Sequence, residues 1–215
     1  MIEAVIFDLD GLLIDSEQVW DDVRREYVRE RGGRWHDGAQ RDMMGMSSPE
    51  WSRYVAEELG VDLPPEQISA DVVALVEARY RERLPVLPGA PEALERLARR
   101  WPLGLASSSN RELIDLVLDV AGWAAYFEVT VSSEEVDRGK PAPDVYLEAA
   151  RRLGTAPGDC AAIEDSRNGI RSAVGAGMRV IAVPNRAFPP GDEALAEAAV
   201  TLGSLEDLTS AAVNR

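Results

Sequence analysis

Downstream of Leu87 the chain alternates between short apolar runs and stretches of helical periodicity. Leu103-Gly104-Leu105-Ala106, Phe127-Glu128-Val129-Thr130-Val131, Cys160 to Ile163 and Val180 to Val183 read as strands, with a shorter one at Ala199-Val200. Helices are expected between them, over about 91–100, 110–120, 143–153 and 166–176, and Ser204 to Val213 reads as a closing helix. Strand and helix in alternation imply βαβ units and a mainly parallel sheet. One further strand, Val5-Ile6-Phe7, lies far upstream. Between it and Leu87 no strand-like run occurs. Val19, Trp20, Val23, Tyr27 and Val28 fall at helical spacing between Ser16 and Arg31, and Gly32-Gly33 ends that helix. A second helix starts at Ser48-Pro49 and reaches Leu59, and a third spans about 65–83. The expected architecture is therefore α/β: a parallel-sheet core built from residues 1–14 and 87–215, carrying an all-helical insert at 15–86.

The upstream strand ends in Asp8-Leu9-Asp10-Gly11. Asp-x-Asp-Gly is ordinary turn chemistry. Two carboxylates at a strand's exit also suit metal-assisted chemistry, because open α/β sheets bind ligands at the carboxyl ends of their strands. Two other strands end in Ser107-Ser108-Ser109-Asn110 and Glu164-Asp165-Ser166, and a fourth leads through Ser132-Ser133-Glu134-Glu135 to Lys140. Each group alone could be a helix cap. Together they are not easily explained as caps, since parallel strands present these ends on one edge.

Charge sharpens the reading. With 38 acidic and 23 basic side chains the 215-residue chain carries a net charge of −15, which argues against a nucleic-acid binder. A small phosphorylated substrate needs only one local positive site. Of the basic residues 22 are Arg, leaving Lys140 as the sole lysine, in the rigid turn Gly139-Lys140-Pro141-Ala142-Pro143-Asp144. A compact ammonium there does what a planar guanidinium cannot. The single Cys160 lies in an apolar run and reads as a small buried hydrophobe. Cys160 and the only histidine, His36, are too few and too remote for a usual zinc site. No membrane span or leader is legible, so a soluble, cytoplasmic protein is expected, with a monomer favoured.

The order Asp8-Leu9-Asp10-Gly11, Ser107, Lys140, Glu164-Asp165 resembles the four signature motifs of the haloacid dehalogenase superfamily over nearly the whole chain. The insert placed directly after the first motif is similar to the helical C1 cap of the β-phosphoglucomutase-like branch. Asp8 to Glu17 most resembles sugar-phosphate and polyol-phosphate phosphatases. The resemblance implies a Rossmann-like core and a cap domain. It also implies a Mg²⁺-dependent phosphatase acting on a small phosphomonoester through an aspartyl-phosphate.

On that resemblance Asp8 is the nucleophile and Asp10 the general acid and base. Ser107, the Ser108 N–H and Lys140 bind phosphate. Asp8, Asp165 and the Asp10 backbone carbonyl would hold Mg²⁺, as hard oxygen donors do; Glu164 stands as a direct or outer ligand. The cap side of the family suggests Trp20, Arg24 and Met44-Gly45-Met46-Ser47-Ser48 for substrate selectivity, although Met and Trp at helical spacing are as often core. A phosphomutase of the β-phosphoglucomutase type is the alternative. The chain has Trp20 and Ser48 where that enzyme carries a His and a phosphate-binding Arg, and Arg24, Arg53 or Arg111 could substitute. A phospho-acceptor signalling domain without turnover is a further alternative; such domains lack a helical cap.

Overall fold

The computed structural model describes residues 1–43, 46–185 and 188–214. The chain divides into two compact units, 1–15 with 85–215, and 16–84.

Strand β1, Ala4–Phe7, is wholly buried. The helical unit then follows: α1 (Ser16–Glu30), α2 (Ala39–Met43), α3 (Ser48–Glu57) and α4 (Pro65–Glu82). Within it, α1 turns Trp20, Val23, Tyr27 and Val28 inward as their spacing predicts. Ser47 rather than Ser48 caps α3: its backbone N–H donates to Glu50 Oε2 at 2.7 Å, half of a capping box. The short α2 carries no sequence periodicity long enough to announce it.

The other unit continues with α5 (Ala90–Ala98), β2 (Leu103–Ser107), α6 (Arg111–Ala121), β3 (Phe127–Ser132), α7 (Asp144–Leu153) and β4 (Cys160–Glu164). It closes with α8 (Arg167–Gly175), β5 (Arg179–Ala182), α9 (Asp192–Glu197), β6 (Val200–Thr201) and α10 (Ser210–Asn214). The six strands form one parallel sheet in the order β3-β2-β1-β4-β5-β6. The chain works outward from β1 on one side, then returns to build the other. The gap between β1 and β4 is thus a topological switch point, where crossovers leave a crevice at the strand ends. In register, Phe7 stands beside both Leu105 and Ile163. β1 ends at this level, while β2 runs on to Ser107 and β4 to Glu164.

β1, β2 and β4 are buried along their whole length, and apart from the terminal Ser107 and Glu164 they are apolar rather than alternating, as in a parallel sheet covered on both faces. One face packs Ile6, Ala106 and Ala162 against Val145, Tyr146 and Ala149 of α7 and Ile170 and Ala173 of α8. Cys160 belongs to this cluster and is fully buried, as its apolar surroundings predict.

The chain leaves and re-enters the sheet unit at one stitched point. Ile14 bridges Val86 antiparallel, Asp15 N–H donates to Pro85 carbonyl at 2.8 Å, and Leu87 N–H donates to Leu13 carbonyl at 3.0 Å. The tail departs from expectation. Instead of one helix over 204–213 it forms a single turn at Leu205–Asp207 followed by α10. The Leu205 and Leu208 carbonyls accept from the Arg96 guanidinium of α5 at 3.2 and 2.9 Å, Leu205 while also closing its own turn by accepting from Leu208 N–H at 3.2 Å. No helix among the described residues is long and apolar enough to cross a membrane.

Candidate active site

β1 delivers Asp8 to the edge of the sheet, where its N–H still donates to the Ile163 carbonyl of β4 at 3.0 Å. The backbone then turns sharply. Gly11 adopts φ +78°, and a Cβ at that position would overlap the Asp165 carboxylate. Only glycine allows both the left-handed conformation and this close approach.

Asp8, Glu164 and Asp165 are buried and each offers an oxygen within 4.8 Å of the others. The sole lysine is inserted among them. Lys140 Nζ donates to Asp8 Oδ1 and to Glu164 Oε1, both at 2.6 Å, with its side chain only 5% exposed. Its third donor direction meets the Tyr146 hydroxyl at 3.4 Å, and the Tyr146 ring centroid is 4.9 Å from Nζ. Tyr146 in turn donates to Glu164 Oε1 at 2.8 Å.

Glu164 is fully occupied by this arrangement. Besides Lys140 and Tyr146 on Oε1, its Oε2 accepts from Asp165 N–H at 3.0 Å, Ser166 N–H at 3.2 Å and Ser166 Oγ at 3.1 Å. A fixed carboxylate with five donors on two oxygens is a poor direct ligand for a cation. The carboxylate oxygens of Asp8 and Asp165 lie within reach of one another, and hard oxygens of this kind suit a divalent metal.

The electrostatics point the same way. Burial pushes the Asp8 carboxyl up to about 8, opposed by Lys140 and reinforced by Glu164 and Asp10. Burial would lower Lys140, but Asp8 and Glu164 outweigh it and hold the ammonium above its ordinary value. Asp8 and Glu164 thus share one ammonium, with Asp165 beside them. A divalent cation would add positive charge where these buried carboxylates meet.

Asp10 stands apart from the buried carboxylates. Its Oδ2 accepts from Ser107 Oγ at 3.0 Å and from Ser109 Oγ at 2.7 Å, and Ser109 N–H donates to Ser107 Oγ at 2.9 Å. Ser107, expected as a phosphate donor, is fully buried and here orients Asp10. Ser108 is exposed and its carbonyl accepts from Ser133 Oγ at 3.0 Å. The expected core residues Asp8, Asp10, Ser107, Ser108, Lys140, Glu164 and Asp165 all fall at or next to the ends of β1, β2 and β4. Ser109 and Tyr146 join them without having been singled out in the sequence.

The residues expected from the insert lie in the helical unit. Trp20 and Trp51 meet edge-to-face at 5.9 Å, and the Arg24 guanidinium lies 4.5 and 4.7 Å from their ring centroids. Arg24 donates to Gln40 Oε1 at 3.4 Å, and Gln40 donates to Glu17 Oε2 at 2.9 Å. Burial draws the guanidinium down to about 10, with Glu17 and Asp21 acting against it. Met46 and Ser48 are half-buried and Ser47 is exposed; Met44 and Gly45 lie outside the described residues. Arg111 is held by Glu135, by Asp115 at 3.1 Å and by Thr130 Oγ1 at 2.8 Å.

Comparison with known proteins gives a consistent answer. A family model described as haloacid dehalogenase-like hydrolase matches residues 2–177. Hexitol phosphatase B of Escherichia coli is 34% identical over 221 residues, covering 97% of this chain and 95% of that protein. The bifunctional riboflavin kinase/FMN phosphatase of Arabidopsis thaliana is 35% identical over 184 residues, 85% of this chain; the chain spans about half of that longer protein, 48%. The crystal structure of CbbY from Rhodobacter sphaeroides in complex with phosphate superposes with a TM-score of 0.90 at 26% identity, covering 100% of both chains.

Proposed function

The chain belongs to the haloacid dehalogenase-like hydrolases, in their sugar-phosphate phosphatase branch, and from that premise we propose that it is a Mg²⁺-dependent phosphatase of small sugar or polyol phosphates working through an aspartyl-phosphate on Asp8. The observation that carries this reading is the position of Asp8: at the end of the central strand, 2.6 Å from the only lysine and beside two further buried carboxylates, Glu164 and Asp165.

Asp8 and Asp165 would hold the cation with the Asp10 carbonyl, and Glu164 would act behind them through its hydrogen bonds. When bound, Mg²⁺ supplies the charge that lets an anionic nucleophile meet an anionic phosphoryl group. An Asp8 oxygen then forms a bond to phosphorus while the bond from phosphorus to the substrate's alcohol oxygen breaks. Asp10, oriented by Ser107 and Ser109, gives its proton to that departing oxygen. It then accepts a proton from the water whose attack on phosphorus releases phosphate and restores Asp8. Lys140 and the N–H of Ser108 stabilise the transferring oxygens, with the Ser107 hydroxyl exchanging from Asp10 to phosphate as substrate arrives.

Substrate selectivity is assigned to the helical insert acting as a cap domain, with Trp20, Arg24 and the segment Met44-Gly45-Met46-Ser47-Ser48 as its candidate determinants. A phosphomutase needs a further cation for a second phosphate, and the engagement of Arg111 by Glu135, Asp115 and Thr130 argues against that residue as the source.

The test is steady-state hydrolysis of p-nitrophenyl phosphate with Mg²⁺, followed by a panel of phosphorylated sugars and polyols ranked by kcat/KM. Turnover that is abolished by chelator and restored by Mg²⁺ is expected. A single phosphorylation without turnover would favour the signalling alternative, and isomerisation of a hexose 1-phosphate would favour the mutase.

A further inference from the structure

Tyr146 takes no part in the chemistry above, yet its hydroxyl is buried against the machinery. It lies on the sheet-facing side of α7 with no exposed surface, two residues after the helix begins at Asp144. A phenylalanine would fill the same apolar space. The hydroxyl must therefore be accounted for separately, because burying it costs free energy unless it is bonded. It is bonded twice: it donates to Glu164 Oε1 at 2.8 Å and faces Lys140 Nζ at 3.4 Å.

We infer that Tyr146 is a positioning residue that keeps the Lys140 ammonium aimed at the phosphoryl site by sharing Glu164 Oε1 with it. Glu164 is held in place, since its Oε2 is pinned by the Asp165 and Ser166 N–H groups, and its carboxylate fills the space left by the missing side chain of Gly169. Lys140 is balanced between Asp8 Oδ1 and Glu164 Oε1 at equal distances of 2.6 Å. Once Asp8 bonds to phosphorus its charge is spent, and the balance tips toward Glu164. Tyr146 counters this by occupying Oε1 with a donor of its own and by offering Nζ an acceptor and a ring face. Loss of the hydroxyl should thus weaken transition-state contact more than ground-state binding.

The kinetic half of this inference rests on the phosphatase reading; the spectroscopic half does not. Lys140 is the only lysine, so labelling lysine with nitrogen-15 at Nζ gives the ammonium one side-chain resonance. In the Mg²⁺-supplemented wild type its protons should show nuclear Overhauser contact with the Tyr146 ring. Tyr146→Phe keeps the ring and should shift the Nζ resonance and speed ammonium proton exchange by about tenfold. An unmoved resonance in a folded variant overturns the inference. So does the absence of the wild-type Overhauser contact, which needs no variant to fold.

In turnover, Tyr146→Phe should lower kcat by about tenfold to a hundredfold with KM changed by less than about twofold. Adding Tyr146→Phe to Lys140→Met should cost nothing further, because the positioned group is gone. An unchanged kcat, or losses that multiply in the double variant, refutes the role. If the wild type shows no turnover, the phosphatase reading falls and the ammonium resonance alone decides the role of Tyr146.

Discussion

Lys140 Nζ and Asp8 Oδ1 are 2.6 Å apart, although 132 residues separate them in the chain. The contact is made with the lysine side chain 5% exposed and a second carboxylate, Glu164, at the same distance. A buried ammonium between two acids is a geometric device as well as a charge, and that distinction can be measured.

Lys140→Arg keeps the charge and changes the shape. The guanidinium is planar and bulkier than the ammonium that Asp8, Glu164 and Tyr146 surround. We expect kcat/KM to fall by about 10²–10³, nearly as far as in Lys140→Ala. An arginine variant with near-wild-type turnover would show that only charge is required at this position.

Asp8→Asn should remove turnover by at least about 10⁴-fold, since the amide cannot attack phosphorus. The same substitution removes a charge that burial disfavours. In chelator at about pH 8 its unfolding midpoint should therefore lie above that of the wild type. A variant that loses activity and stability together would place Asp8 in a structural role.

Asp8 also fixes the sign of a pH effect. Without a cation its carboxyl is raised from 3.8 to about 8 by burial, and by Glu164 and Asp10 against the pull of Lys140. Between those values the folded state holds a proton that the unfolded chain has released. Stability of the chelated protein should accordingly fall as pH rises through this window. A divalent cation favours the ionised form, so the gain in midpoint on adding Mg²⁺ should widen with pH. Thermal scans with and without chelator across about pH 5 to 8 check this, and a gap that narrows with rising pH contradicts it.

Gly169 lies on α8 with its Cα against the Glu164 carboxylate, close enough that a Cβ would overlap it. Gly169→Ala forces Glu164 to shift and unsettles Lys140. We expect a cost of about 1–3 kcal/mol in stability together with a drop in kcat. Gly122→Ala is the control for a glycine with nothing near its Cβ, although its φ of +69° makes it the more strained backbone. Full activity in Gly169→Ala would mean that Glu164 need not be held in place.

Much of this site was legible because its residues interrupt a pattern. An acid at the end of the apolar run Val5-Ile6-Phe7 has no packing purpose, and a lone lysine among arginines draws notice for the same reason. The strand positions follow from the same apolar runs. What escaped notice was hidden by residues that are ordinary for their place. Tyr146 sits where α7 needs a bulky apolar side chain, and the partner of its hydroxyl is 18 residues away. Ser109 is one of three consecutive serines, and only the backbone turn decides that its hydroxyl, with that of Ser107, reaches Asp10. The tail misled because helical spacing at 204–213 says nothing of Arg96, more than a hundred residues upstream, which claims two of its carbonyls.

The stitched junction, where Ile14 bridges Val86 and Asp15 bonds to Pro85, lets the whole excursion between them count topologically as one hairpin loop. Strand order and the ring of acids do not depend on what that loop contains. The segment between Asp15 and Pro85 can therefore differ in length and content without disturbing the strands that end at Asp8, Ser107 and Glu164.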